Sequence, residues 1–222
     1  KKIFCYSENI KNFPEKFKKK ISVIPALLRK EFYSTKISNN LDGEIKLLVI
    51  GGSQGAQIFD TIIQESILEL SKKYKLKIFH QTNLKDLSNL KNFYTKNNIQ
   101  NEFFDFNENV FKFMSMSNIC ISRAGASTLA ELVFLNLAHI VIPLPSSKDN
   151  HQFENALFYQ NKGCNWVIDQ NEINKKNLTE KLVNIIENKR EYFEKKKNME
   201  NFNYQNTWNN INQKMISTIN EN

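Results

Sequence analysis

Three stretches of the chain combine small and polar residues at spacings suited to phosphate and sugar chemistry. The first, Gly51-Gly52-Ser53-Gln54-Gly55-Ala56, follows the apolar run 47–50 and precedes apolar residues at helical spacing, Ile58, Phe59, Ile62 and Ile63. Glycines let the backbone turn tightly and come close to a bound group, and the helix behind them opens with unpaired N–H groups and the positive end of its dipole. An anion, a phosphate above all, suits that arrangement. No Gly-Lys-Ser/Thr follows, so this is not a Walker loop, and Ile50 stands where the first glycine of a dinucleotide fingerprint would be. A plain tight strand-to-helix turn without a ligand is the alternative reading.

The second stretch, Ser122-Arg123-Ala124-Gly125-Ala126-Ser127-Thr128, again puts small residues at a helix start, with Glu131 one turn inside. A carboxylate there can accept both hydroxyls of a ribose, or it can close a capping box with Thr128. The third, 143–152, offers Lys148, Asp149, Asn150, His151 and Gln152, with Asn155 just beyond, a density of hydrogen-bonding groups suited to sugar hydroxyls. The histidines His80, His139 and His151 lie far apart, and Cys5, Cys120 and Cys164 lack metal-site spacing. No metal or other cofactor is therefore expected, and the thiols read as buried and reduced.

These loops need elements to hold them. From about residue 45 short apolar runs alternate with helical stretches, which predicts βαβ units and a parallel sheet. Strands are expected at 47–50, 76–80, 102–106, 119–121, 139–142 and 166–168. Helices are expected at 57–74, 84–97, 109–116, 128–134 and 150–162, the last with Phe153, Leu157, Tyr159 and Gln160 near its inner side and Gly163 as its left-handed cap. The fold class is thus α/β, a Rossmann-like parallel sheet with helices on both faces. The three loops leave the carboxyl ends of its strands, the edge where such sheets bind ligands.

Residues 173–222 read as helical, with Leu178, Leu182, Ile185 and Ile186 on a core-facing stripe and Trp208, Ile211, Met215, Ile216 and Ile219 on a terminal one. Residues 1–34 carry two short strand-like pieces and no helix of useful length. The chain begins at Lys1 rather than methionine, and the expectation is that 1–34 is the tail of another domain plus a linker, 35–200 the α/β domain and 201–222 a helix packing back.

The 222 residues carry a net charge of +8, and no run approaches the roughly 18 apolar residues of a membrane span. A basic chain favours anionic partners such as nucleotide diphosphates or lipid head groups. The lysine runs 18–20 and 195–197 lack aromatic interleaving, so they read as solvated faces and nucleic acid is not an expected partner.

The ordered set GGSQGAQ, ISRAGASTLAEL and PLPSSKDNHQFENAL resembles the C-terminal half of the peptidoglycan N-acetylglucosaminyltransferases, two-domain glycosyltransferases of the GT-B type. The likeness covers about 45–170 with specific motifs. It implies transfer of N-acetylglucosamine from UDP to a lipid-linked muramyl-pentapeptide, on the cytoplasmic face of the membrane. It also implies that Gly52, Ser53 and Gln54 lie by the donor's uracil and phosphates, and that Asn107 meets the uracil through its backbone. Ala126, Ser127 and Thr128 would approach the diphosphate, Glu131 the ribose, and His151, Gln152 and Asn155 the sugar. Arg29 matches the family's linker arginine if two residues are inserted, which makes it a candidate phosphate contact. The family's N-terminal glycine-rich loop with its histidine has no counterpart in this sequence, so the general base and most acceptor contacts are expected outside it, and none of the three histidines is expected to be catalytic. A UDP-sugar epimerase or hydrolase of the same architecture, and a non-enzymatic scaffold that binds the membrane or cell-wall proteins, are the competing readings.

Overall fold

The computed structural model describes residues 1–8, 10, 13–34, 41, 43–51, 57–82, 87–105, 110–203 and 206–220. Its elements run β1 (Ile3–Cys5), α1 (Glu15–Lys18), β2 (Ile21–Val23), α2 (Lys30–Tyr33), β3 (Ile45–Ile50), α3 (Gln57–Ser71), β4 (Leu76–Gln81), α4 (Leu87–Lys96) and β5 (Gln100–Phe104). They continue with α5 (Val110–Met116), β6 (Ile119–Ser122), α6 (Ala126–Phe134), β7 (Ala138–Val141), α7 (His151–Gln160), β8 (Trp166–Val167), α8 (Lys175–Glu187), α9 (Lys189–Asn203) and α10 (Trp208–Asn220).

Alternation along each strand decides the layers. On β3, Leu47 and Val49 join one buried cluster with Ile63 and Ile67 of α3 and Leu178, Leu182 and Ile185 of α8. Leu48 and Ile50 point the other way, into a second cluster with Phe113 of α5, Leu129 and Leu132 of α6 and Ala156 of α7. Successive strand side chains face opposite sides, so an unbroken apolar run is what a sheet covered on both faces requires. The six main strands are all parallel, in the order β5-β4-β3-β6-β7-β8. That is the doubly wound order, and it reverses between β3 and β6, where a crevice opens at the carboxyl edge. Register brings the crevice walls level: Ile50 pairs with Ser122, and the Arg123 N–H donates to the Ile50 carbonyl at 3.2 Å.

The two N-terminal pieces pair as a separate two-stranded parallel sheet, β1 with β2. From there the chain is tied to the main body by Phe32, fully buried in the second cluster and edge-on to Phe111 at 4.9 Å. Tyr33 donates its hydroxyl to Asn206 Oδ1 at 3.3 Å, and Asn206 Nδ2 donates to the Ala26 carbonyl at 3.3 Å. The segment before the main sheet and the junction of α9 with α10 are thereby fastened to each other.

Several expectations shift. Helix α6 starts at Ala126 rather than residue 128, because Gly125 rather than Thr128 occupies the cap. On α7 the buried residues are Ala156 and Tyr159, whereas Phe153 and Leu157 are half-buried and Gln160 is exposed. Gly163 has the expected left-handed φ of +70°, and an added Cβ would also sit 2.5 Å from Asn198 Nδ2. Lys195 and Lys196 are half-buried rather than solvated, with ammonium groups 5.1 Å from the Trp166 ring centre and 5.5 Å from that of Tyr192. On α10 Ile211 is buried, but Trp208, Ile216 and Ile219 are 52%, 58% and 62% exposed, so most of the terminal stripe faces outward. No described helix is long and apolar enough to cross a membrane.

Candidate functional site

The crevice between β3 and β6 is walled on one side by the turn 123–125 and the start of α6. Gly125 is the N-cap and has no side chain to bond the helix's first N–H groups; the first helical bond runs from the Leu129 N–H to the Gly125 carbonyl at 2.9 Å. Ala126 and Ser127 are exposed and Thr128 half-buried. The helix therefore opens towards solvent with its positive end uncapped by a side chain, the condition in which an anion is favoured. Since Thr128 lies inside the helix, a capping box between Thr128 and Glu131 does not form.

Glu131 is only 8% exposed and is held by Arg29, whose Nε donates to Glu131 Oε1 at 3.1 Å. These two residues, 102 positions apart, are the proposed ribose and phosphate contacts of the sequence reading, and the fold puts them in direct contact. Burial pushes the Glu131 carboxyl above the ordinary carboxylate range; the Arg29 guanidinium opposes this, and Glu31 adds to the rise. Arg29 also lies over the Phe32 ring, 5.2 Å from its centre. Its place is thus set by the same aromatic anchor that docks α2.

The third loop passes through one 3₁₀ turn, Lys148–Asn150, in which Asp149 and Asn150 take left-handed φ values of +53° and +55°. That reverses the chain into α7. His151 is exposed there and donates through Nδ1 to the Lys148 carbonyl at 2.6 Å. Gln152 and Asn155, one helical turn apart, point back to the second loop: Gln152 Oε1 accepts from the N–H groups of Ala124 at 3.2 Å and Leu144 at 3.0 Å, and Asn155 Nδ2 donates to the Ala124 carbonyl at 3.1 Å. Beside them lies an open depression of about 240 Å³ lined by Pro143, Leu144, Pro145, Asn150, Phe153, Asp169, Gln170 and Asn171.

Two residues absent from the sequence-derived set belong to this edge. Arg123 is 7% exposed, and its Nη1 donates to the Ile142 carbonyl at 3.2 Å and to Gln170 Oε1 at 2.6 Å. The polar run 169–171 directly after the last strand, at the same carboxyl edge, is the sequence signal for Gln170. Gly52, Ser53, Gln54 and Asn107 lie outside the described residues.

Two of the three histidines, His80 and His139, sit apart from this chemistry. His80 is buried in β4 and shares a 3.0 Å hydrogen bond with the Tyr94 hydroxyl. His139 is buried in β7, donates through Nδ1 to the Leu137 carbonyl at 2.7 Å, and is pushed down by burial to a pKa of about 4. Among the described residues no cluster of three or more His, Cys, Asp or Glu side chains could hold a metal ion.

Residues 46–211 match the model of the glycosyltransferase family 28 C-terminal domain. A UDP-N-acetylglucosamine–N-acetylmuramyl-(pentapeptide) pyrophosphoryl-undecaprenol N-acetylglucosamine transferase from Pelagibacter ubique is 59% identical over 221 residues, which is 100% of this chain and 62% of that protein. A protein of the same name from Rickettsia bellii is 38% identical over 195 residues, 85% of this chain and 55% of the relative. The chain therefore spans a little over half the length of the curated relatives it matches. Among solved structures, Acinetobacter baumannii MurG superposes with a TM-score of 0.63 at 23% identity, covering 78% of this chain and 48% of that one, a likeness of fold.

Proposed function

The chain belongs to the glycosyltransferase family 28 C-terminal domain family, and from that premise we propose that it binds UDP-N-acetylglucosamine as the donor half of the transferase that builds lipid-linked peptidoglycan precursors. The observation that carries this reading is the pairing of an α6 start without a side-chain cap with Glu131, a buried carboxylate one turn inside the same helix, at the reversal point of the sheet. In the proposed complex the diphosphate rests on the N–H groups of Ala126, Ser127 and Thr128, and the ribose hydroxyls donate to Glu131. In the same proposal Gly52, Ser53 and Gln54 are assigned to the uracil and phosphates and the backbone of Asn107 to the uracil. The sugar is assigned to the start of α7, where His151 is the exposed member.

The chemistry follows from charge. In an inverting transfer the acceptor hydroxyl oxygen bonds to the anomeric carbon while the bond from that carbon to the UDP oxygen breaks, and the departing diphosphate takes the electron pair. Negative charge grows on the phosphate, where preorganised N–H groups and a positive helix end lower the barrier most. Arg29 adds a guanidinium on the same side, exchanging its bond to Glu131 for one to phosphate as the ribose takes the carboxylate. The proton of the acceptor passes to a general base, which we assign to the portion of the longer relatives that this chain does not include. The lipid-linked muramyl-pentapeptide acceptor and a peripheral position on the inner face of the cell membrane belong to the same proposal, supported by the net charge of +8. The outward stripe of α10, with Trp208, Ile216 and Ile219 exposed, fits a helix that packs against that other portion.

Calorimetric titration with UDP tests the reading. Saturable binding that is competitive with UDP-N-acetylglucosamine is expected, and a folded sample that binds neither nucleotide would overturn it. Turnover of the donor without any lipid acceptor would point instead to a hydrolase or epimerase.

A further inference from the structure

Arg29 reaches Glu131 from a segment with little regular structure. Helix α2, which it precedes as N-cap, is a single turn of four residues, too short to persist in water alone. Phe32 anchors that turn in the second cluster, and Leu28 packs against the same cluster. Apolar packing is non-directional, so it does not by itself decide the course of the backbone at 26–28 or the direction in which Arg29 leaves it. A polar node supplies that direction. The Leu28 N–H donates to the Tyr33 hydroxyl oxygen at 3.3 Å, that hydroxyl donates to Asn206 Oδ1 at 3.3 Å, and Asn206 Nδ2 donates to the Ala26 carbonyl at 3.3 Å. Each role is forced: a carbonyl only accepts, so the amide presents nitrogen to Ala26 and oxygen to Tyr33, and a hydroxyl that accepts from Leu28 keeps its proton for Asn206. The bonds close a circuit around 26–33, with Arg29 inside its span. Asn206, at the junction of α9 and α10, is only 5% exposed, so groups that lose it find little water in exchange. The Tyr33 ring is wedged edge-on between Phe134 of α6, 5.2 Å away, and Trp208 of α10, 5.9 Å away. Helix α6 thus bears both the carboxylate that Arg29 meets and a ring that steers Tyr33.

We propose that Asn206 and Tyr33 are positioning residues for Arg29: from the α9–α10 junction they set the backbone at 26–28 so that the guanidinium lies at Glu131 and, with the donor bound, on its diphosphate. The diphosphate part rests on the donor-binding reading, whereas the pairing with Glu131 stands without a ligand. The two residues act on the site only through Arg29. Their removal therefore costs phosphate binding while Arg29 is present and nothing further once Arg29 is gone.

The test is a double-mutant cycle of Asn206→Leu, which keeps bulk and removes both polar ends, with Arg29→Gln, each protein titrated with UDP and with uridine, which has no phosphate. Asn206→Leu is expected to weaken UDP about fivefold, to leave uridine no weaker, and to add no loss in the Arg29→Gln background, the non-additivity of residues in one network. Equal losses for UDP and uridine, losses that add in the double variant, or an unchanged UDP affinity in either single variant would overturn the proposal and leave the donor-binding reading standing. Should Asn206→Leu not fold, Tyr33→Phe takes its place with the same outcomes, since it removes only the hydroxyl and keeps the ring against Phe134 and Trp208. A native protein that binds no UDP would remove the donor-binding reading itself, and the Glu131 carboxyl then decides the positioning role. Followed by carbon NMR, it should titrate at higher pH in Asn206→Leu, as in Arg29→Gln, because the guanidinium that opposes its rise has moved away. A Glu131 titration moved by Arg29→Gln but not by Asn206→Leu would overturn that role.

Discussion

Replacing Glu131 by glutamine should weaken nucleotide binding and, at neutral pH, leave the fold as stable as before or more so. The binding side follows from the charge. A hydrogen bond to an ionised acceptor contributes about 1.5–3 kcal/mol where a neutral one contributes about 0.5–1.5. A carboxylate that takes two ribose hydroxyls therefore loses roughly 1.4–2.8 kcal/mol on becoming an amide, about 10- to 100-fold in affinity. The stability side follows from burial. The Glu131 carboxyl is pushed up in the folded state, so its ionised form is penalised there relative to the unfolded chain. The unfolded chain then binds fewer protons than the folded one as pH rises through the ordinary glutamate range to the raised value, and stability falls across that window. Glutamine removes this penalty at pH 7. Its oxygen can still accept from Arg29 Nε, and with the Arg29 side chain 37% exposed the lost ion pair is a small, screened term. Urea unfolding at pH 7 and UDP titration read the two effects. A variant that binds UDP like the native protein, or one that unfolds at distinctly lower urea, would refute the reasoning.

Two further outcomes come from buried residues away from the crevice. His139, pushed from 6.5 to about 4, stays neutral in the fold while the unfolded chain protonates, so it contributes about 3 kcal/mol that is present above pH 6.5 and lost as pH falls towards 4. The pH slope of unfolding free energy over that window should flatten in His139→Leu, and an unchanged slope would place the acid sensitivity elsewhere. Phe32→Ala empties a fully buried site and should cost about 3–5 kcal/mol by urea unfolding. Because Phe32 also sets Arg29, the same variant should weaken UDP binding in the folded protein, and intact affinity would separate the anchor from the site.

The layers of the fold were legible because both faces of the sheet are covered. Unbroken runs such as 47–50 and 119–121 have no solvent side, and their alternation with helical periods leaves little choice but parallel βαβ units. Gly163 was legible for a backbone reason that needs no partner. The site was only half legible. Glu131 could be singled out from its place in a helix start, yet its partner Arg29 lies 102 residues away and is delivered by Phe32, a residue whose burial no local pattern announces. The start of α6 was misjudged by two residues because Thr128 and Glu131 have the spacing of a capping box, while an uncapped glycine leaves no sequence mark. Gln152 and Asn155 were recognisable as polar residues of a ligand-facing edge, but which way they reach depends on how α7 lies across α6. The lysines at 195 and 196 look solvated in sequence and are half-buried, Lys195 against Trp166 from across the fold and Lys196 against Tyr192 one turn earlier on the same helix.

The most direct test is a crystal structure of this chain grown with UDP-N-acetylglucosamine at saturating concentration. The diphosphate should lie at the N-terminus of α6, within hydrogen-bond distance of the Ala126, Ser127 and Thr128 N–H groups, with the ribose hydroxyls on Glu131 and Arg29 moved from that carboxylate to phosphate. A nucleotide bound elsewhere, with the Arg29–Glu131 pair undisturbed, would contradict the assignment of the site.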